Sequence, residues 1–150
     1  MATVQPSAGT QVLEFRLGSD RYCVDIRAVA EIVDVRTVTP LPNAPRHVRG
    51  VMDLRGRTTT IVDPTVRLGL EKTGAEGAGR ILVFDPDHTD DASMGWVVDE
   101  VDEVSDVPPD AVDEAPVDHD PCARGVVRRD DGLVVWLRPE LSDACSDSPA

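Results

Sequence analysis

The residues of this sequence whose types and spacing could do chemistry are two histidines in acidic segments. His88 lies among the aspartates of residues 85–91, and His119 lies between Asp118 and Asp120. Imidazole nitrogens and carboxylate oxygens together can hold a divalent cation, so one hypothesis is a small metal-dependent enzyme. Solvated acidic loops, in a protein of net charge −13, explain the same residues. We favour this second interpretation.

Other catalytic arrangements do not occur in the sequence. No serine stands in a Gly-x-Ser-x-Gly elbow, and no glycine-rich loop follows a strand and opens a helix. Asp53, Asp63 and Asp99 end or interrupt apolar runs, but none of them has a histidine or lysine beside it. Capping of strand ends, or solvation, is the expected role of these carboxylates. The sequence therefore predicts a protein that is not an enzyme and that needs neither cofactor nor metal.

Arg55 and Glu31 are the charged residues that we assign to a contact surface. Residues 50–63 form two β-branched runs joined at Arg55-Gly56-Arg57, where Gly56 supplies the positive φ of a tight hairpin turn. A guanidinium beside apolar segments needs an acidic partner or open water. Glu31 is the predicted partner, in a charge-assisted pair that shapes the surface around it. Projection of Arg55 into water is the alternative.

These residues have to be positioned by a mainly β chain. Aromatic residues are 3% of the sequence and hydrophobic residues 41%, so valine, isoleucine and leucine must fill the core, which favours strands. Alternation predicts strands over residues 12–17 and 22–26, with Glu14 on the face away from the core. The apolar residues of segment 29–33 have helical spacing, which predicts a short helical turn. A proline-rich connection, residues 39–45, leads into the central hairpin.

The second half of the chain resembles the first in its pattern of predicted strands and turns. Apolar runs predict a strand covered on both faces at residues 80–84, and another over residues 94–107 with a bulge or bend after Val101. Asp131-Gly132 predicts a hairpin between the last two strands. Gly50-Val51 and Gly125-Val126 open the two hairpins alike, which indicates duplication of a small β unit.

Domain boundaries follow from the same patterns. Residues 1–11 and 143–150 are small and polar, and we expect them to be flexible tails. Residues 12–142 form the folded part. Residues 71–79 contain three glycines and are the predicted linker between the two halves.

The charge of the chain limits the classes of partner and the cellular environment that we expect for it. A net charge of −13 argues against nucleic acid and anionic membranes, because phosphates require clustered arginine and lysine. Lys72 is the only lysine, and the dispersed acidic residues are typical of a salt-rich cytoplasm. No run of about 18 apolar residues predicts a membrane span, and residues 1–11 lack a signal-peptide pattern. Cys23, Cys122 and Cys145 lack metal-binding spacing, which indicates reduced thiols inside a cell.

The order of these features resembles the CheW family of chemotaxis coupling proteins over residues 12–142. The matching segments are Phe15-x-Leu17-Gly18, Tyr22-x-Val24-x-Ile26, Val29-x-Glu31-Ile32, Gly50-Val51-x-x-Leu54-Arg55-Gly56, Ile61-Val62-Asp63, the run from Gly95 to Val101, Gly125-Val126-Val127 and the strand from Leu133 to Leu137. Two positions depart from the family pattern: Asp53 stands where asparagine is common, and Thr60 where proline is frequent. Asp53 is therefore a second acidic candidate for the partner of Arg55.

The resemblance implies a mainly β fold of two intertwined, five-stranded SH3-like β-barrel subdomains with short helical turns. It implies a non-catalytic cytoplasmic adaptor, recruited to membrane-bound receptor arrays, that couples the cytoplasmic tips of chemoreceptors (methyl-accepting chemotaxis proteins) to the regulatory domain of a CheA-type histidine kinase. Together with the acidic composition, it indicates a halophilic archaeon as the source. A β domain that senses a small ligand in the groove between the barrels is a further alternative. The residues implied in partner binding are Val29, Glu31, Gly50, Leu54, Arg55, Gly56, Val98 and Val101.

Overall fold

The computed structural model describes residues 9–35, 37–70, 79–86, 93–114 and 122–139. Its strands, in chain order, are β1 (Thr10–Leu17), β2 (Asp20–Asp25), β3 (Val29–Asp34), β4 (Val48–Leu54), β5 (Arg57–Val62), β6 (Arg80–Phe84), β7 (Met94–Val98), β8 (Glu100–Val107), β9 (Val112–Asp113), β10 (Ala123–Arg129) and β11 (Gly132–Leu137). A one-turn helix, α1 (Pro64–Arg67), follows β5, and 3₁₀ turns at Ile26–Ala28 and Pro109–Ala111 precede β3 and β9. Within the described ranges, no helix has the length and apolar character needed to cross a membrane.

The strands form two sheets, and each sheet draws on both halves of the chain. The six-stranded sheet, which we call barrel 1, has the order β8-β1-β2-β11-β10-β9. The five-stranded sheet, barrel 2, has the order β3-β6-β7-β5-β4. The chain leaves barrel 1 after β2 through the turn Ile26–Ala28, and it returns at Asp99, between β7 and β8. The two barrels are therefore intertwined.

The hairpins β4–β5 and β10–β11 have the same construction. The first strand of each carries a bulged arginine, Arg49 in β4 and Arg124 in β10, and a glycine follows each bulge. The second strand of each hairpin pairs in parallel with a strand from the other half of the chain, β5 with β7 and β11 with β2. This topology is that of a duplicated unit whose two copies have exchanged strands. The predicted linker lies between the two copies rather than between the two barrels, and its residues 71–78 are outside the described ranges.

Among the described residues, three apolar clusters hold the sheets together. The central cluster contains side chains of both barrels, and Trp96 of β7 is its largest member. The ring centroids of Phe84 and Phe15 lie 4.9 Å and 6.3 Å from that of Trp96, in edge-to-face contact. The other two clusters fill barrel 1 and barrel 2 separately. Because both faces of β6 are covered, residues 81–84 are all buried, as the continuous apolar run predicts.

Three local predictions are wrong. Segment 29–33 is not a helical turn but lies in β3, where less exposed and more exposed residues alternate. Helical and strand spacing both fit so short a run, and pairing with β6 selects the strand. The strand predicted over residues 94–107 breaks at Asp99, where the chain changes barrels. The bulge predicted after Val101 is present, because Asp102 and Glu103 together lie opposite Glu14 of β1. Glu14, predicted to face away from the core, is only 6% exposed.

Glu14 is buried in an ion-pair network inside barrel 1. Its Oε2 accepts hydrogen bonds from Arg129 Nη2 and from Ser105 Oγ, each at 2.7 Å. Arg21 Nη1 lies 3.8 Å from the other carboxylate oxygen of Glu14. Arg129 ends β10, whereas Glu14 and Ser105 lie in β1 and β8 at the far edge of the sheet. The network therefore links distant strands, and it depends on each buried charge keeping its partner.

Candidate protein-interaction surface

The turn between β4 and β5 carries Arg55 at its tip. Arg55 and Gly56 have φ values of 55° and 81°, as the two central residues of a type I′ turn require. Asp53 Oδ1 accepts a hydrogen bond from the backbone N–H of Gly56 at 2.9 Å, which holds the turn. Arg55 Nη1 donates a hydrogen bond to Glu31 Oε2, at 2.8 Å. The predicted pair of Arg55 and Glu31 is confirmed.

Glu31 reaches Arg55 because it lies in an edge strand. In β3 it shares the less exposed face with Val29 and Val33, opposite Val83 of β6. Strands β3 and β4 are the two edges of the five-stranded sheet, so the pair joins one edge to the turn that follows the other. The side chain of Arg55 is 76% exposed and that of Glu31 is 24% exposed. An ion pair this open to water contributes little stability, and its unused donors and acceptors can serve a partner.

A cavity of about 260 Å³ opens beside the pair. Leu54, Val83 and Phe84 are buried residues that form its apolar floor. Glu31 and Arg55 line it as well and give it a charged rim. An apolar depression with a polar rim is the arrangement by which protein interfaces seat an anchoring side chain.

Gly50 lies apart from this cavity. It is at the opposite end of β4, roughly 16 Å from Arg55 along the strand. Its φ is +141°, and a Cβ at this position would come within 2.1 Å of the Thr39 carbonyl oxygen. Thr39 and Val51 exchange two backbone hydrogen bonds of 2.8 Å across this close approach. The need for glycine here is explained by backbone packing within barrel 2.

Val29, Val98 and Val101 adjoin the cluster between the barrels. Val98 ends β7 and is 1% exposed, so its side chain lies in the core. Val29 and Val101 are half-buried and pack against the same cluster. The structure thus brings Glu31 and residues 54–56 together at one surface and leaves the three valines inside or beside the core.

The other strand-end carboxylates have structural roles. Asp63 caps α1 by accepting a hydrogen bond from the Thr65 backbone N–H at 3.0 Å, and Arg49 Nη1 lies 3.4 Å from its second oxygen. Asp99 accepts a hydrogen bond from the Gly18 backbone N–H, where the chain crosses between the barrels. These carboxylates have structural roles, but Asp63 caps a helix rather than a strand end, and Asp99 bonds to the turn between β1 and β2.

The histidine loops of the metal hypothesis, around His88 and His119, lie outside the described ranges, as does Cys145. Within those ranges, no three histidine, cysteine or acidic side chains are grouped to hold a metal ion. Cys23 and Cys122 are buried. Burial raises the pKa of the Cys23 thiol to about 12, so it stays protonated and unreactive near neutral pH.

The two β units are intertwined and share a core, and they define a small two-barrel β protein. The model of the CheW-like domain matches residues 11–142. The chain therefore belongs to the CheW family.

Individual relatives agree with this assignment. The chemotaxis protein CheW of Rhizobium meliloti is 43% identical over 65 residues, which are 43% of this chain and 42% of that protein. The chemotaxis protein CheW of Treponema pallidum is 31% identical over 110 residues, which are 71% of this chain and 63% of that protein. In both cases the match covers less than two thirds of the relative's own length.

A solved structure defines the fold. The crystal structure of scaffolding protein TtCheW from Thermoanaerobacter tengcongensis matches with a TM-score of 0.80 at 24% identity, and covers 89% of this chain and 92% of that one. The predicted fold of two SH3-like β-barrel subdomains is confirmed. The two-residue β9 is an addition to the five strands predicted for barrel 1.

Proposed function

We propose that this protein is a non-catalytic chemotaxis adaptor that couples chemoreceptors to a CheA-type histidine kinase. Membership of the CheW family supports this role. The observation that carries the proposal is the exposed pair of Arg55 and Glu31 beside an apolar cavity. Binding there requires no reacting group, so the surface suits a protein that works by holding other proteins together.

The receptor contact in this proposal centres on the rim of the cavity. A helical receptor tip would place an apolar side chain over Leu54 and polar groups against Glu31 and Arg55, as in other helix-in-groove contacts. Gly56, beside Arg55, has open space around its Cα, so the backbone there can be approached closely. Val29 and Val101 would border the contact, and Gly50 and Val98 would support it from within.

The kinase contact is proposed on the ends of the barrels, against the related barrels of the regulatory domain of the kinase. The adaptor would act in the cytoplasm and be recruited to membrane-bound receptor arrays through these two contacts. The acidic composition, with net charge −13 and one lysine, supports a halophilic archaeal setting, in which salt screens the self-repulsion of the surface.

Co-purification from cells that express the protein natively, at about 2 M KCl, tests the proposal. The tagged wild-type chain should retain both a histidine kinase and chemoreceptors. Arg55→Glu should retain the kinase and lose most of the receptors, because it places two carboxylates at the rim. Arg128→Glu is the matched control, since it reverses an equally charged, exposed arginine in barrel 1. The proposal would be contradicted if the wild-type chain retained neither protein. It would also be contradicted if Arg55→Glu recovered as much receptor as the wild-type chain does.

A further inference from the structure

One end of barrel 1 carries a basic concavity on an otherwise acidic protein. Its volume is about 310 Å³, and it lies at the end of β11 beside the start of β10 and the crossing turn after β2. Arg27, Arg124 and Arg138 contribute to its lining, together with Asp25 and Trp136. The described lining holds three arginines and one carboxylate. The site is therefore locally positive, although the chain has a net charge of −13.

The duplicated hairpins show that this charge is specific to barrel 1. The bulged Arg49 of β4 corresponds to the bulged Arg124 of β10, and the residue that follows β5, Asp63, corresponds to Arg138, which follows β11. A proline comes next in both copies. In barrel 2, Arg49 is neutralised by Asp63 at 3.4 Å. In barrel 1 the same two positions hold two arginines, so the charge pair has become a pair of like charges.

Neither of these two arginines is neutralised within the described part of the chain. Arg27 is paired with Asp25, Nη2 to Oδ2 at 2.8 Å. Arg124 and Arg138 form no ion pair with any residue of the described ranges. The guanidinium of Arg124 lies over the indole of Trp136, 3.9 Å from the ring centroid. Stacking fixes the plane of the guanidinium and leaves its edge donors open to a ligand.

We propose that this concavity is a second protein-contact site, which binds the carboxylate side chains of an acidic segment of a protein partner. The planar donors of arginine match a carboxylate in a bidentate arrangement. The apolar surfaces of Trp136 and Leu137 can cover the aliphatic part of an aspartate or glutamate side chain. A nucleic acid is disfavoured, because a phosphate backbone requires arginine and lysine clustered along an extended face, whereas the basic side chains here are three arginines in one concavity. The site lies on barrel 1, so it can be occupied independently of the Arg55 surface on barrel 2.

Binding of fluorescein-labelled hexaglutamate to the full chain, followed by fluorescence anisotropy, tests the site. The titration uses the lowest salt at which circular dichroism shows the protein folded, because contact ion pairs weaken as salt rises. Arg138→Asp restores the charge pair found in barrel 2 and should weaken binding at least about tenfold. Arg46→Asp makes the same change of charge at an exposed position before β4 and should stay within about twofold of wild type.

Three results would overturn the assignment. They are unchanged binding by Arg138→Asp, an equal loss in Arg46→Asp, and displacement of the labelled peptide by inorganic phosphate as effectively as by unlabelled hexaglutamate. The last result would identify a general anion site. The Arg138 side chain is exposed, so unchanged thermal unfolding of the variant should accompany the loss of binding. This test involves neither receptor nor kinase, so its outcome is separate from that of the adaptor proposal.

Discussion

Arg55 and Glu31, 2.8 Å apart, join the two edges of the five-stranded sheet. In barrel 1 a second arginine–glutamate pair, Arg129 and Glu14, lies 2.7 Å apart and likewise links distant strands of its sheet. The two pairs differ in exposure: the side chains of Arg129 and Glu14 are 21% and 7% exposed, whereas those of Arg55 and Glu31 are 76% and 24% exposed. The pair of Arg129 and Glu14 is desolvated and therefore serves the fold. The pair of Arg55 and Glu31 is exposed and is therefore available to a binding partner.

Arg55→Ala should lower the free energy of unfolding by less than about 1 kcal/mol, because its pair with Glu31 is largely solvated. Urea unfolding followed by circular dichroism measures the change. A double-mutant cycle with Glu31→Ala should give a coupling energy within the same range. A loss of several kcal/mol would show that the pair supports the fold and would undermine its assignment to a binding surface.

Arg129→Ala should lower the free energy of unfolding by about 3 kcal/mol, because it leaves the buried carboxylate of Glu14 without its nearest charge. The same urea experiment applies. Arg128→Ala, which removes a half-exposed pair with Asp113, is the control and should cost less than about 1 kcal/mol. Similar losses for Arg128 and Arg129 would contradict the distinction between buried and exposed pairs.

Gly50→Ala should destabilise barrel 2 by more than about 3 kcal/mol or prevent folding, since the new Cβ would overlap the Thr39 backbone. Gly56→Ala should cost only about 1 to 2 kcal/mol, because its positive φ is unfavourable for alanine but nothing lies within 4 Å. Thermal unfolding of the two variants gives the comparison. Equal costs would mean that the close approach of Thr39 is unimportant.

The buried thiol of Cys23 predicts a loss of stability at alkaline pH. Burial raises its folded-state pKa from 9.0 to about 12, so between these values the unfolded chain releases a proton that the folded chain keeps. The contribution of this thiol to the free energy of unfolding is therefore fully present below pH 9.0, and it declines as pH rises toward about 12. The fall in unfolding free energy above pH 9.0 should be shallower in Cys23→Ala than in wild type. Identical slopes would contradict a strongly raised pKa at this thiol.

Salt should stabilise the protein. With a net charge of −13, repulsion between carboxylates opposes folding, and at about 1 M salt the Debye length falls to roughly 3 Å. The midpoint of thermal unfolding should rise substantially between about 0.1 M and about 3 M KCl. A midpoint that does not respond to KCl would contradict the interpretation of the surface as salt-adapted.

Much of the candidate surface could be predicted because its constraints are local. The turn at Arg55 and Gly56 follows from the need for positive φ between two β-branched runs. An arginine at such a turn needs either an acidic side chain or water as its partner. Because few acidic residues lie within reach, the possible partners are few. Choosing Glu31 over Asp53 required the structure, where the Asp53 carboxylate bonds to the backbone of the turn.

Other features could not be predicted because they depend on contacts between distant segments. Glu14 and Arg129 are separated by 115 positions. Alternation in β1 correctly placed Glu14 on the face opposite Leu13 and Phe15, but it could not show that this face is covered by the interior of barrel 1. The break at Asp99 occurs within a continuous strand-like run, and only pairing with two different sheets reveals it. The basic concavity has no local signal either, because Arg27 and Arg138 come from opposite ends of the chain.

The most direct measurement of the adaptor function is phosphorylation of the kinase from ATP in membranes that contain the receptors, with and without this protein. We predict that the wild-type chain, and equally Arg128→Glu, makes kinase phosphorylation respond to receptor ligands. Arg55→Glu should leave the kinase insensitive to them. Receptor control of the kinase in the absence of this protein, or full coupling by Arg55→Glu, would contradict the account.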